Sequence, residues 1–356
     1  MSAPTNVPPA PAPAAGPKLN RIGLPLTEYQ GAKSTLCAGC GHDVITNTIV
    51  SALWEMGVEP HRVAKMSGIG CSSKTTNYFL NRAWGFNSVH GRMPAVATGA
   101  ILANHTLKGI GVSGDGDTAA IGMGQFVHLL RRNVPMVYLV ENNGVYGLTK
   151  GQFSPTADTG SKLKSGVVND LPPVDLCTMA IELGCGFVAR SFSADRKQLL
   201  QILKAAVAHR GLALIDIISP CVTFNDHPGS TKSYDYGRQH EEPIHEIGFV
   251  PTWEAADREV DPAPGETTDV AMPNGGTIRL KKIAREFDPR DKAAALDLLR
   301  EASTKQEFLT GLFYVNPDQK TFIDLLDTVE TPLAALPESS LRPTKASLDA
   351  INEELR

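Results

Sequence analysis

Six cysteines and an aspartate set between glycines carry most of the chemistry this sequence offers. Cys37 and Cys40 form a CxxC in LCAGCGH, and the two intervening residues let both thiolates reach one metal centre. Two ligands do not complete a site. A zinc ribbon needs a second CxxC, which the sequence lacks, and a thioredoxin-type redox pair opens a helix in a different context. Cys71 in GIGCSS and Cys221 in SPCVTFND both fall where loops are expected. A 4Fe-4S cluster held by Cys37, Cys40, Cys71 and Cys221 is therefore the sharper reading. For Cys71 or Cys221 taken alone, the plainer alternative is a small buried apolar side chain. Cys177 and Cys185, in LCTMAIELGCGF, sit among apolar neighbours at helical positions and are assigned to the core.

The second constellation begins at Gly114, Asp115 and Gly116 and reaches Asn142 and Asn143, with 143 − 115 = 28 positions between the proposed ligands. A hard cation such as magnesium takes oxygen ligands, a few from protein and the rest from diphosphate and water. Asp115, the Asn143 amide oxygen and a backbone carbonyl near Val145 can supply the protein's share. Glycines let the backbone approach phosphate closely, and the helix that follows offers its N-terminal amides to negative charge. GDG alone is ordinary turn chemistry. Followed by a helix, a strand and paired asparagines, it resembles the thiamine-diphosphate motif.

Both constellations need a frame that brings distant loops together. From His42, HDVITNTIVSALWEMG has helical apolar spacing, and VAKMSGIG reads as a buried strand entering a glycine turn. The pattern recurs in PAVATGAILANHTL (helix), GIGVSGDGD (strand to loop), GMGQFVHLLRRN (helix), VPMVYLVENN (strand), RKQLLQILKAAVAH (helix) and LALIDIISP (strand). Such alternation predicts an α/β fold with a mainly parallel sheet and helices on both faces. SGIGCSS, SGDGD, ENNGVYG and SPCVTFND then occupy carboxyl ends of strands, where doubly wound folds bind ligands.

The division expected along the chain is a Pro/Ala tail over 1–18, a site-bearing domain over 19–235 and an extension over 236–356. Six prolines and five alanines in the first 17 residues favour a solvated tail. In the extension, TTDVAMPNGGTIRLKKI reads as a hairpin and DKAAALDLLREAST as a helix, fitting docking or assembly. With 356 residues and 42% hydrophobic content the chain can bury a sizeable core, which excludes a disordered or fibrous protein. A net charge of −4 without a long basic run gives little reason to expect a nucleic-acid partner. No apolar run reaches the roughly 18 residues of a membrane span, and no secretory pattern opens the chain. A cytoplasmic protein with reduced cysteines is expected.

Taken together, CAGCGH, GIGCSS, HGR, PAVATG, GDGD and NNGVYGLTKGQ resemble the beta subunits of 2-oxoacid:ferredoxin oxidoreductases over about residues 20–235. Ala38 stands where that family's motif has proline, and the cysteine spacing is kept. The resemblance implies that Cys37, Cys40, Cys71 and Cys221 ligate the cluster and that Asp115, Asn143 and Val145 hold magnesium. It implies a thiamine diphosphate site lined by Ile69, Gly70, Cys71 and Ser72, by Gly114, Asp115, Gly116 and Asp117, and by Gly147 and Leu148. Lys150 becomes the candidate for the substrate carboxylate, against a solvated loop lysine. His90 and Arg92 are candidates to contact or support substrate, against purely structural roles, and His42 reads as a helix-start residue.

The implied reaction is CoA-dependent oxidative decarboxylation of a 2-oxoacid, with electrons passed through the cluster to ferredoxin, reversible as reductive carboxylation. LTKGQFSPT looks most like the 2-oxoglutarate enzymes; pyruvate or another 2-oxoacid is the alternative. The chain would supply only the diphosphate half of the cofactor site, so an alpha subunit is expected, paired as α2β2 with the active site between subunits. The nearest rival is a non-oxidative thiamine-diphosphate decarboxylase or synthase component, which has no need of four cluster cysteines; from another class, the rival is an electron-transfer or cluster-carrier module without catalysis, which has no need of the diphosphate loop.

Overall fold

A computed structural model describes residues 16–253, 267–273, 275–282 and 287–356. Most of the expected N-terminal tail, residues 1–15, lies outside them. The first four strands of the main sheet are β1 (Val63–Ser67), β2 (Trp84–Asn87), β3 (Lys108–Gly114) and β4 (Met136–Asn142). A small ribbon, β5 (Val145–Tyr146) and β6 (Gln152–Phe153), follows, and the main sheet resumes with β7 (Phe187–Phe192) and β8 (Ala213–Ile218). Beyond residue 235, β9 (Glu241–Pro243) precedes a separate three-stranded sheet of β10 (His245–Val250), β11 (Thr267–Ala271) and β12 (Thr277–Lys282). The last strand is β13 (Phe308–Val315).

The main sheet has eight strands in the order β2-β1-β3-β4-β8-β7-β13-β9. Its pairs are parallel except β13 with β7, which run antiparallel. The predicted helices are present as α1 (Gly41–Glu55), α2 (Met93–Ala103), α3 (Met123–Arg132), α4 (Leu176–Glu182), α5 (Arg196–Ala208) and, after a short unpredicted α6 (Tyr234–His240), α7 (Lys292–Lys305). They flank a sheet buried on both sides, as parallel sheets require. In β4, Val137 and Leu139 join Ile45, Ile49, Leu53, Leu199 and Ile202 of α1 and α5 on one face. Met136, Tyr138 and Val140 point the other way, to Ile101, Phe126, Leu130, Leu176 and Leu299 of α2, α3, α4 and α7. Burying that much aliphatic surface on two faces fixes strand register, because a one-residue slip would exchange the faces.

Local signals set the helix ends. Asp175, Asp195 and Asp291 cap α4, α5 and α7 by accepting backbone N–H bonds. Asn133, with φ of 50°, ends α3 in the left-handed conformation. The expected hairpin is present as β11 and β12, and its sheet lays Phe249, Val270, Ile278 and Leu280 into the core that contains α1 and α5. β13 and β9 carry chain from beyond residue 235 into the main sheet.

Candidate active site

Neighbours β1, β3, β4 and β8 end on the same edge of the sheet, so the four loops that follow them are neighbours too. A cleft of about 170 Å³ opens there. Its wall includes all ten of the residues expected to line thiamine diphosphate, from Ile69, Gly70, Cys71 and Ser72 through Gly114, Asp115, Gly116 and Asp117 to Gly147 and Leu148, together with Asn143. Val145 and His90 line it as well. Arg92 and Lys150 do not. Arg92 is exposed and donates to the carbonyls of Gly91 and Ile121. Lys150 is exposed on a turn, with φ of 78°.

Asp115 is buried to 1% exposure, and burial raises its pKa against the opposing pull of its hydrogen bonds. Its Oδ2 accepts from Gly144 N–H at 3.1 Å and from the Ser154 and Thr156 hydroxyls. Thr156 Oγ1 lies 2.6 Å from that oxygen and 2.9 Å from Asn142 Oδ1, so one proton serves two acceptors. Asn142 Nδ2 donates to Asp216 Oδ1, Arg190 Nε donates to Asp216 Oδ2 at 2.9 Å, and Arg190 Nη2 reaches Asp175. A polar row thus crosses three adjacent strands, β7, β8 and β4, and ends at Asp115. Asn143 Oδ1 accepts from Val145 N–H, and its carbonyl accepts from Asn225, four residues beyond Cys221.

Asp117 ties the loops together. Its carboxylate accepts from Ser113, from the Ile69 N–H and from the Gly91 N–H. Where a simple loop was expected after GDG, the chain winds directly into a π-helix, Asp117–Ile121, ahead of α3. That widened turn carries Asp117 to all three partners and follows a recurrent association of π turns with functional sites. Gly116 packs so closely that a Cβ there would stand 2.4 Å from the Tyr146 ring, whose hydroxyl donates to the Gly116 carbonyl.

The cysteine loops meet beside this cleft. Cys40 caps the start of α1, and Gly41 after it has no room for a side chain, since a Cβ would lie 2.5 Å from Ser219 Oγ and 2.9 Å from Ser193 Oγ. That close approach seats the CxxC on the loop that carries Cys221. A Cβ placed on Gly147 would lie 3.7 Å from Cys71 Sγ and 3.6 Å from Cys221 Sγ. Burial pushes the Cys40 thiol up to about 12 and raises Cys71, with Cys221 adding to both and Cys37 to Cys71. Thr223 Oγ1 stands 3.6 Å from Cys37 Sγ. The four sulfurs therefore share one neighbourhood, while Cys177 and Cys185 are fully buried in the core, as the sequence suggests.

Among the described residues, no three His, Cys, Asp or Glu side chains converge on a point that would hold a single ion. Both proposed groups are compatible with that arrangement. A cubane cluster spreads its four thiolates wider than one ion does, and magnesium at a diphosphate takes many ligands from phosphate and water.

Sequence reading missed a buried pair in the cleft wall. His42 Nδ1 stands 3.1 Å from Glu141 Oε2, at 2% and 0% exposure, without the alignment of a hydrogen bond. Thr75 Oγ1 lies 3.0 Å from both Glu141 oxygens. Burial holds the Glu141 carboxyl well above its ordinary range and lowers His42 to about 4, which favours a neutral pair. Both His42 ring nitrogens lack a hydrogen-bond partner while lining the cleft, as expected of groups kept for a ligand. The available signal was Glu141 itself, a carboxylate inside the apolar run MVYLVEN.

Residues 68–217 match the family model described as the C-terminal, thiamine pyrophosphate-binding domain of thiamine pyrophosphate enzymes. The chain is 38% identical over 294 residues to subunit beta of 2-oxoacid:ferredoxin oxidoreductase 1 from Aeropyrum pernix, covering 82% of this chain and 81% of that one. It is 42% identical over 222 residues to the 2-oxoacid:ferredoxin oxidoreductase subunit beta of Saccharolobus solfataricus, covering 61% and 70%. Among solved structures, 2-oxoglutarate:ferredoxin oxidoreductase from Magnetococcus marinus, with 2-oxoglutarate, coenzyme A and succinyl-CoA bound, is similar with a TM-score of 0.71 at 28% identity, over 92% of this chain and 95% of that one.

Proposed function

Because the chain belongs to the beta subunits of the 2-oxoacid:ferredoxin oxidoreductases, we propose that it joins an alpha subunit to convert 2-oxoglutarate and CoA into succinyl-CoA and carbon dioxide, passing two electrons through a 4Fe-4S cluster to ferredoxin. Thiamine diphosphate, held through magnesium, supplies the nucleophile that adds to the 2-oxo carbon and the electron sink that lets carbon dioxide leave. The chain's own residues bind and orient. Asp115, Asn143 and the Val145 carbonyl would hold magnesium, and because Asp115 Oδ2 already serves three donors, its other carboxylate oxygen would be left for the ion. Gly114 and Gly116 give the diphosphate a close backbone approach. His42 offers an unpartnered ring nitrogen to the bound cofactor or substrate.

The observation that carries this reading is the position of Cys71. It lines the cofactor cleft and, with Cys221, faces Gly147. A cluster held by Cys37, Cys40, Cys71 and Cys221 would thus stand against the cofactor, the arrangement an oxidative decarboxylation needs and a non-oxidative one does not. The case for an alpha subunit rests on the cleft. At about 170 Å³ it falls below the roughly 300–1,000 Å³ of sites that enclose a cofactor-sized ligand. Ile121 and Leu148 stand exposed on its rim, ready to be covered in an α2β2 assembly. Lys150, near that rim in sequence, is the candidate for the substrate carboxylate, with His90 and Arg92 in support. No helix among the described residues is long and apolar enough to cross a membrane.

The test is anaerobic co-purification with the alpha subunit, followed by addition of 2-oxoglutarate with and without CoA and low-temperature EPR. A reduced-cluster signal that appears with 2-oxoglutarate and changes with CoA is the expected result. A response to pyruvate alone would keep the family and replace the substrate; an intact complex without iron would favour non-oxidative chemistry.

A further inference from the structure

A second cavity, of about 590 Å³, lies between the two segments that lead into the proposed cluster ligands. One wall is the stretch before Cys37, with Lys33 and Thr35; the other is the short helix Ser72–Asn77 after Cys71, with Lys74 and Asn77. Backbone bonds from Gly31 and Ala32 to the carbonyls of Tyr78 and Asn77 hold the two walls together, and Thr35 binds the Tyr78 hydroxyl. Lys65 of β1 completes the lining at 8% exposure. Its ammonium donates to the Phe79 carbonyl at 2.6 Å and lies over the Phe79 ring.

The eight lining residues include three lysines and no acid, and among the described residues none of the three lysines pairs with a carboxylate. Burying an ammonium without a counter-charge costs free energy, and Lys65 has donors left after its one hydrogen bond. An arriving anion would repay that cost. Cys37 is exposed and follows Thr35 by two residues, and Lys74 follows Cys71 by three, so the basic cavity lies beside the segments that carry two of the proposed cluster ligands. A soluble one-electron carrier with an acidic surface fits both features, since clustered positive charge steers such a partner and orients it on arrival. Coenzyme A fits less well. Its sulfur must enter the cofactor cleft, and none of the three lysines lines that cleft.

We propose that the cavity bounded by Lys33, Lys65 and Lys74 is where an acidic one-electron carrier protein docks to collect electrons from the cluster. The assignment rests on the functional reading above. It is tested in the anaerobic complex with the alpha subunit by the double charge reversal Lys33→Glu with Lys74→Glu, and by Lys33→Gln with Lys74→Gln in case reversal disturbs folding. Lys65 is left in place because it is buried.

Binding of an oxidised ferredoxin of net negative charge is measured without turnover at low and high salt. Rates are measured with that ferredoxin and with metronidazole, a small neutral acceptor. The expected result is about tenfold weaker ferredoxin binding, a matching rise in its KM and a flatter salt dependence. The metronidazole rate and the KM values for 2-oxoglutarate and CoA stay at wild type. Ferredoxin binding and KM within about twofold of wild type overturn the proposal. So does a raised CoA KM with ferredoxin binding intact, which would give the cavity to a phosphate. A wild-type complex that reduces neither acceptor from 2-oxoglutarate and CoA contradicts the functional reading, and the binding measurement still decides the docking face.

Discussion

The Asp115 loop and the cysteine loops sit on the same edge of one sheet and are built in opposite ways. Around Asp115 the protein has supplied its own scaffold: three donors on one carboxylate oxygen, the shared Thr156 proton, and the Asn142–Asp216–Arg190 row behind them. Around the four cysteines it has supplied glycines, a tight turn and one 3.6 Å hydroxyl contact to Cys37. The first site is organised before any ligand arrives. The second brings its loops close and would leave the final geometry to the proposed cluster, whose binding would then contribute folding free energy there.

The largest expected effect separates the two sites outright. Cys221→Ser in the complex should abolish the cluster, seen as loss of iron, sulfide and its EPR signal, while thiamine diphosphate still binds. The reverse break uses a chelator. Incubation with EDTA should strip magnesium and weaken cofactor retention by about a hundredfold or more, leaving iron content unchanged. If either treatment empties both sites, they form one unit and the comparison fails.

Next in size is Arg190→Met. It leaves Asp216 buried at 1% exposure beside Asn142 without its cation, a change expected to cost about 3 kcal/mol in urea unfolding. Cofactor affinity should fall with it, and Arg190→Lys should recover part of both losses. Thr156→Val removes a hydroxyl from Asp115 and Asn142 and should cost about 1–2 kcal/mol, with a matching rise in the magnesium concentration needed for cofactor binding. The smallest effect is expected for Thr223→Val, which alters stability by under about 0.5 kcal/mol and registers mainly as a shift in the cluster's reduction potential.

These effects follow what was legible in the sequence and what was not. Most residues proposed to meet a ligand were visible because chemistry restricts their type: CxxC, GDG and the paired asparagines fall where a helix–strand alternation delivers them, whereas His42 and Glu141 did not stand out. Residues that hold those groups were not visible. Thr156, Asp216 and Arg190 lie 41, 101 and 75 positions from Asp115; the pairing of β4, β8 and β7 lines up Asp216 and Arg190 behind Asn142, and the loop after β6 brings Thr156 to Asp115. A charge inside a buried strand was the usable sign, present in ALIDII, FVARSF and MVYLVEN.

The fold shows the same limit. Strands with an apolar run and a following helix could be read, whereas β2, with all four residues exposed, has no buried pattern to find. β13 contributes FLTGLFYV from beyond the region where the alternation weakens, and its place next to β7 is a long-range choice.

The most direct test of the account is the iron, acid-labile sulfide and thiamine diphosphate content of the anaerobically purified αβ complex, compared between wild type and Cys40→Ser with Cys221→Ser. The double variant should lose iron and sulfide equal to one 4Fe-4S cluster per chain and keep its thiamine diphosphate. Unchanged iron and sulfide in that variant would contradict it, because the cluster would then reside on residues other than the four cysteines beside the cofactor cleft.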